Sequence, residues 1–105
     1  MYEEDLVKKA GEKAIVEILK EKGYTDVDII AMEKQGKIRV KIENGEILIK
    51  VKSSIYPLDP GFLTGEELET FQKEAKEIGA KPRFARIWLN EDLTPKYRHP
   101  NWKKL

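Results

Sequence analysis

Hydrophobic positions change their period along the chain, and the changes mark the elements. From 5 to 22, Leu6, Val7, Ala10, Ala14, Ile15, Ile18 and Leu19 recur at three- and four-residue spacing, which predicts an amphipathic helix. Asp5 is placed to cap its start and Gly23 to end it. Gly11 lies inside, where it costs about 1 kcal/mol relative to Ala. It marks either a close helix–sheet contact, the reading favoured here, or room for a substrate backbone. Tyr24 to Met32, with Val27, Ile29, Ile30 and Ala31 apolar, reads as a first strand. Asp26 and Asp28 at its start either end a turn, as such residues more often do, or hold a divalent ion.

Between Lys37 and Lys52 the period drops to two on both sides of Asn44-Gly45, a strong short-range hairpin signal. A two-residue type I′ turn there pairs Glu43 with Glu46. It sets Ile42, Val40 and Ile38 against Ile47, Ile49 and Val51 as one apolar face. The opposite face then pairs Lys41 with Leu48, Arg39 with Lys50 and Lys37 with Lys52. Like charges opposite each other are unfavourable, so this face is either simply solvated or built to meet an anion.

After Lys52 the alternation stops. Ser53 to Leu63 contains Pro57 and Asp59-Pro60-Gly61 and reads as a loop, made apolar by Ile55, Tyr56, Leu58 and Phe62. Thr64 and Glu67 form a capping box opening a second helix to about Ile78, with Leu68, Phe71, Ala75 and Ile78 inward and Gly79 ending it. Arg83 to Leu89, after Pro82, is apolar on both faces and fits a strand covered on both sides. The tail 90–105 interleaves Tyr97 and Trp102 with Lys96, Arg98, His99, Lys103 and Lys104, and has room for one more short strand. That interleaving suits base stacking and phosphate contact, and equally suits a tail packed by its aromatics. The expected fold is α/β, a small mixed sheet with flanking helices in the order α-β-β-β-α-β, in a single domain over 1–105.

With 105 residues, 40% of them hydrophobic, the chain can bury one core. The 37% charged content, rich in Lys and Glu, resembles that of thermophile proteins. No Cys is present, so disulfides and thiolate metal sites are excluded. No apolar run reaches membrane-spanning length and the N-terminus is not a signal peptide, so a cytoplasmic protein without membrane partners is expected. Net charge is only +1. It is uneven: in 81–105, seven cations (Lys81, Arg83, Arg86, Lys96, Arg98, Lys103, Lys104) against Glu91 and Asp92 leave +5, and the first 80 residues carry −4. No Gly-rich phosphate loop, Ser/His/Asp set or His/Cys metal spacing occurs, and the lone His99 offers little for acid–base work.

This element order resembles the restriction-endonuclease-like PD-(D/E)xK superfamily, nearest to archaeal Holliday-junction resolvases. The resemblance runs over about residues 9–89: Gly11-Glu12, then Gly23-Tyr24, the Asn44-Gly45 hairpin leading to Ile49-Lys50-Val51-Lys52-Ser53, and a second helix centred on Phe71. The resemblance implies a helix Glu, an Asp on the second strand and Glu-x-Lys on the third, the carboxylates holding Mg²⁺ while the Lys positions or activates water. Glu12 and Lys52 fall at the Glu and Lys positions. Arg39 and Lys50 stand where the two central metal ligands belong, and two cations there repel Mg²⁺. The expectation is therefore a nucleic-acid-binding protein of nuclease-like fold, binding DNA (branched DNA included), with its catalytic metal site lost. Lys37, Arg39, Lys41, Lys50 and Lys52 would contact phosphate, with Arg83, Arg86 and the tail cations in support. One alternative is an active Mg²⁺-dependent endonuclease using Lys52 and Glu12, with a displaced ligand set drawn from Glu12, Asp28, Glu43 or Glu46. Another is a non-catalytic protein-interaction module. The resemblance also implies a homodimer.

Overall fold

The computed structural model describes residues 4–32, 36–97 and 99–105. Arg98 of the basic tail and the Ala31 side chain lie outside the described residues. Helix α1 (Glu4–Glu21) buries Ala14, Ile15, Ile18 and Leu19 as its spacing predicts. It ends in a Schellman arrangement: Gly23, at φ 105°, donates to the Lys20 carbonyl at 3.0 Å, and the Tyr24 N–H donates to the Leu19 carbonyl at 3.2 Å. Asp5 is not the N-cap, because the helix already includes Glu4; both acids sit in the first turn, favourable to the helix dipole.

The first strand is shorter than expected. β1 covers Ile29–Met32, and residues 24–28 turn instead. Asp28 closes that turn by accepting from the Thr25 N–H and hydroxyl, at 3.0 and 2.9 Å. These bonds, the backbone one first, hold its carboxyl below the ordinary range. Asp26 pairs with Lys20 at 2.6 Å. Asp28 thus serves the turn, and Asp26 ties it to the end of α1.

β2 (Lys37–Ile42) and β3 (Gly45–Ile55) form the hairpin, with a register two residues from the expected one. Ile42 pairs with Gly45, Val40 with Ile47, Arg39 with Leu48 and Lys37 with Lys50. The turn residues are Glu43 and Asn44; neither takes positive φ, which falls on Gly45 at 138°. A shift of two keeps every side chain on its face. It also replaces the Arg39/Lys50 and Lys37/Lys52 oppositions with one, Lys37/Lys50, and sets Lys41 opposite Glu46. Fewer opposed like charges is the physical reason to prefer it.

β3 continues through Ser53 and Ser54 to Ile55, so the expected loop begins only at Tyr56. Helix α2 (Gly65–Glu77) then crosses over, and β4 (Ala80–Leu89) returns parallel to β3 along ten pairs, Glu46↔Ala80 to Ile55↔Leu89. The capping box is present in both directions, Glu67 N–H to Thr64 Oγ1 and Thr64 N–H to Glu67 Oε1, each at 3.1 Å. Phe71 and Ala75 are buried, whereas Ile78, expected inward, is the exposed C-cap. β4 begins before Pro82 and carries it. β5 (Asn101–Lys104) adds antiparallel to β4, giving one sheet in the order β1-β2-β3-β4-β5. The α/β class and mixed sheet are as expected, with the extra tail strand.

Each face has its own core. α1 packs on Ile38, Val40, Ile49, Val51, Ala85, Ile87 and Leu89. On the other face Phe71 and Ala75 of α2 pack on Leu48 and Ala80, with Leu63 and Leu105 at the border. α1 lies close on the sheet at Gly11: a Cβ there would be 2.4 Å from Ser53 Oγ, and Ser53 donates to the Val7 carbonyl at 2.9 Å. The glycine serves a close helix–sheet contact. No described helix is long and apolar enough to cross a membrane.

Candidate functional site

Where the first turns of α1, the start of β2, the middle of β3 and one side of α2 come together, they enclose a cleft of about 870 Å³. α1 contributes Lys8, Lys9 and Glu12, along with Glu4 and Asp5. Gly36 and, at the start of β2, Lys37 follow; β3 contributes Lys50 to Ser53, and α2 contributes Glu67 and Glu74. Period-two alternation places Lys37, Lys50 and Lys52 on one sheet face, and the β2–β3 register brings Lys37 directly opposite Lys50. Glu12 reaches the same place from the helix. A Cβ at Gly36 would stand 3.6 Å from Glu12 Oε1 and 3.7 Å from Lys50 Nζ, so the carboxylate and the ammonium converge over that glycine.

Four of the six residues singled out from sequence are therefore gathered: Glu12, Lys37, Lys50 and Lys52. Arg39 and Lys41 are not among the lining residues. Arg39 points along the hairpin and binds Glu46 through Nε at 2.9 Å and Nη2 at 2.6 Å. Lys41 is exposed beside that pair. The basic ladder expected along the hairpin is thus split, three rungs in the cleft and two outside.

Nor are the cleft rungs bare. Lys37, only 7% exposed, forms an ion pair with Glu74. Lys52 donates to Glu67 and to the Phe62 carbonyl, both at 3.2 Å. The Glu67 carboxyl is held low, first by the Thr64 backbone N–H and then by Lys52. Lys50 is pushed below the ordinary lysine range, chiefly by burial and next by the charge of Lys37. Across the lining, Lys8, Lys9, Lys37, Lys50 and Lys52 are balanced by Glu4, Asp5, Glu12, Glu67 and Glu74.

Glu67 and Glu74 were not singled out from sequence as site residues. Glu67 reads there only as the capping-box acid. The available signal was spacing: the two are seven apart and flank Phe71, so they share the side of α2 that meets the sheet. Lys8 and Lys9, one turn before Glu12, were likewise legible only by helix spacing.

A cleft of this composition suits an anion that exchanges with the α2 carboxylates. Among the described residues no group of three or more His, Asp or Glu side chains is placed to hold a metal ion. The members of the displaced ligand set stay apart: Asp28 closes its turn, Glu46 binds Arg39, and Glu12 alone reaches the cleft. The chain matches no protein-family model and no curated protein.

Proposed function

We propose that the protein binds nucleic acid, DNA first, by seating backbone phosphate in this cleft without cutting it. The carrying observation is that Lys37, Lys50 and Lys52 converge in one cleft while Lys50 is disfavoured as a cation there by burial and by Lys37. A phosphate oxygen among them would relieve that repulsion, and charge-assisted bonds to phosphate are among the strong ones. Three antiparallel strands followed by an α2 crossover to a parallel β4 support assignment to the restriction-endonuclease-like fold. With Lys50 where that family's chemistry needs a carboxylate, the site favours holding a phosphate over activating water with Mg²⁺.

The test is anisotropy titration of four-way junction, duplex and single strand, with Mg²⁺, Mn²⁺ or EDTA. Binding in EDTA is expected, weakened by salt with a slope of about −3 on logarithmic axes for three phosphate contacts. Lys50→Glu and Lys52→Glu should abolish it, and Arg39→Glu should weaken it far less. Metal-dependent cleavage would overturn the non-catalytic reading, and salt-independent binding would overturn the phosphate cleft.

A further inference from the structure

Beside the cleft, at the C-terminal end of β4, large apolar side chains stand in the open. Phe62 is 61% exposed, Tyr97 49%, Tyr56 47% and Leu58 68%. They do not form a plain greasy patch, because two cations are set among the rings. The Arg86 guanidinium lies 3.8 Å from the Phe62 ring centroid and 5.0 Å from that of Trp88. Trp88 and Tyr97 meet edge to face at 6.1 Å, and Tyr97 and Tyr56 at 6.3 Å. Lys96 Nζ closes the series 4.7 Å above Tyr56. Edge-to-face packing fixes these rings without stacking one on another.

The row is also held in place before anything binds. Arg86 is 8% exposed and anchors the loop by donating to the Gly61 carbonyl at 2.9 Å and to Asp59. The Tyr56 N–H donates to the Leu89 carbonyl at 2.9 Å and the Lys96 N–H to the Trp88 carbonyl at 2.8 Å, tying the other end to β4. Finally, the row is continuous with the cleft. Pro60 lines the cleft, Lys52 donates to the Phe62 carbonyl, and Lys52 and Arg86 are direct neighbours in the β3–β4 ladder.

We infer that the rings of Phe62, Trp88, Tyr97 and Tyr56, backed by the buried Arg86, are a stacking platform for unpaired bases of a single-stranded segment whose backbone enters the lysine cleft. The inference rests on the proposed function and narrows it, from nucleic acid in general to nucleic acid with an unpaired stretch. Every base has a π face, so aromatic rings beside a phosphate-binding groove bind single strands without reading sequence. Duplex DNA keeps those faces stacked inside and gains nothing from the rings. An aliphatic protein surface would be matched by Leu58 but not by a row of aromatic rings with Lys96 at its open end, which suits bases and phosphate. Preformed rings also spare the ligand the ordering cost of the receptor.

The experiment compares a blunt duplex, the same duplex with an unpaired tail, oligo(dT) and oligo(rU) on the full chain. Variants are Phe62→Leu and Tyr97→Leu, which keep apolar area and remove the ring, and Tyr97→Trp, which restores a ring. The tailed duplex is expected to bind about fivefold or more tightly than the blunt one. Each Leu substitution should bring the tailed duplex down to the blunt value and leave the blunt value unchanged, and Tyr97→Trp should retain the difference. Trp88 fluorescence, read in a Trp102→Phe background, should be quenched by oligo(dT). Comparison of oligo(dT) with oligo(rU) assigns the strand as DNA or RNA. Equal binding of blunt and tailed duplex, unmoved by the Leu variants, overturns the platform and leaves the phosphate cleft standing. Absence of binding to all four probes overturns both. A molar mass that doubles with concentration and falls back in Leu58→Ser gives the patch to a second copy of this chain and overturns the platform.

Discussion

The two faces of the β2–β3 hairpin alternate along the same two strands, and they behave differently. On the α1 face, Ile38, Val40 and Ile49 are completely buried, and their partners are other apolar groups that any close packing supplies. On the α2 face, Lys37, Arg39, Lys50 and Lys52 each answer to particular charges. Arg39 binds Glu46, Lys37 binds Glu74, Lys52 binds Glu67, and Lys50 sits in a half-buried place that disfavours its charge. The contrast teaches that the α1 face is specified by burial alone, whereas the α2 face, beyond Leu48, is specified by particular charged partners. Stability should reside in the first and ligand response in the second.

The largest expected effect is on the apolar face. Ile49→Ala should cost about 2–5 kcal/mol in denaturant unfolding, from lost transfer energy and the cavity left behind. A loss under about 1 kcal/mol would mean that this face is not the stabilising one. Next is Gly11→Ala, whose added carbon meets Ser53 Oγ at 2.4 Å and Cβ at 2.5 Å. Overpacking there should cost about 1–3 kcal/mol. Adding Ser53→Gly should recover part of it, a coupling that a double-mutant cycle would read. Thr64→Ala removes one half of the capping box and should cost about 1 kcal/mol.

Smaller effects sharpen the other half of the contrast. Glu74→Gln takes the charged partner from a Lys37 that is only 7% exposed and should cost about 1 kcal/mol, yet tighten DNA binding by removing an anion that competes for Lys37; unchanged affinity would show that the α2 acid does not compete with phosphate. Lys50→Gln should raise stability by a few tenths of a kcal/mol, about what removing an opposed like charge gives, while weakening binding. The pH dependence follows. Below the depressed folded pKa of Lys50 both folded and unfolded chains carry the proton, and the cost of the charge is fully present. Between that value and the ordinary lysine pKa the unfolded chain holds more protons, so stability should rise with pH across the window. In Lys50→Gln that rise should vanish in alkaline thermal melts.

The legible and illegible parts of the chain divide along the same line. Period-two alternation placed Ile38, Val40, Ile49 and Val51 on one face, and that assignment survives the two-residue register shift because the shift preserves parity. Thr64 and Glu67 announced α2 by local chemistry, and Gly23 the end of α1. The register itself depends on cross-strand charges, which is why Gly45 follows the turn at Glu43 and Asn44 instead of lying within it. At the site, Glu12, Lys37, Lys50 and Lys52 were legible through strand and helix spacing. The pairing of Lys37 with Glu74 was not, because 37 positions of chain separate them and only the docking of α2 on Leu48 and Ala80 brings them together. Arg39 was assigned to the site by its face alone, and its neighbour Glu46 claims it instead.

The parallel ladder between β3 and β4 has a kinetic meaning. Every one of its pairs joins residues 34 positions apart, whereas the hairpin closes through the two-residue turn at Glu43 and Asn44. Loop closure of that length comes before any reward from the contacts it allows, so the hairpin forms early and the ladder late. Since α2 is held against the sheet by contacts that involve β4, a chain emerging during synthesis carries its cleft lysines for some time without the two α2 carboxylates, Glu67 and Glu74. The newborn molecule would be more cationic at this spot than the finished one. The last step of folding is then also the step that sets how strongly the cleft attracts anions.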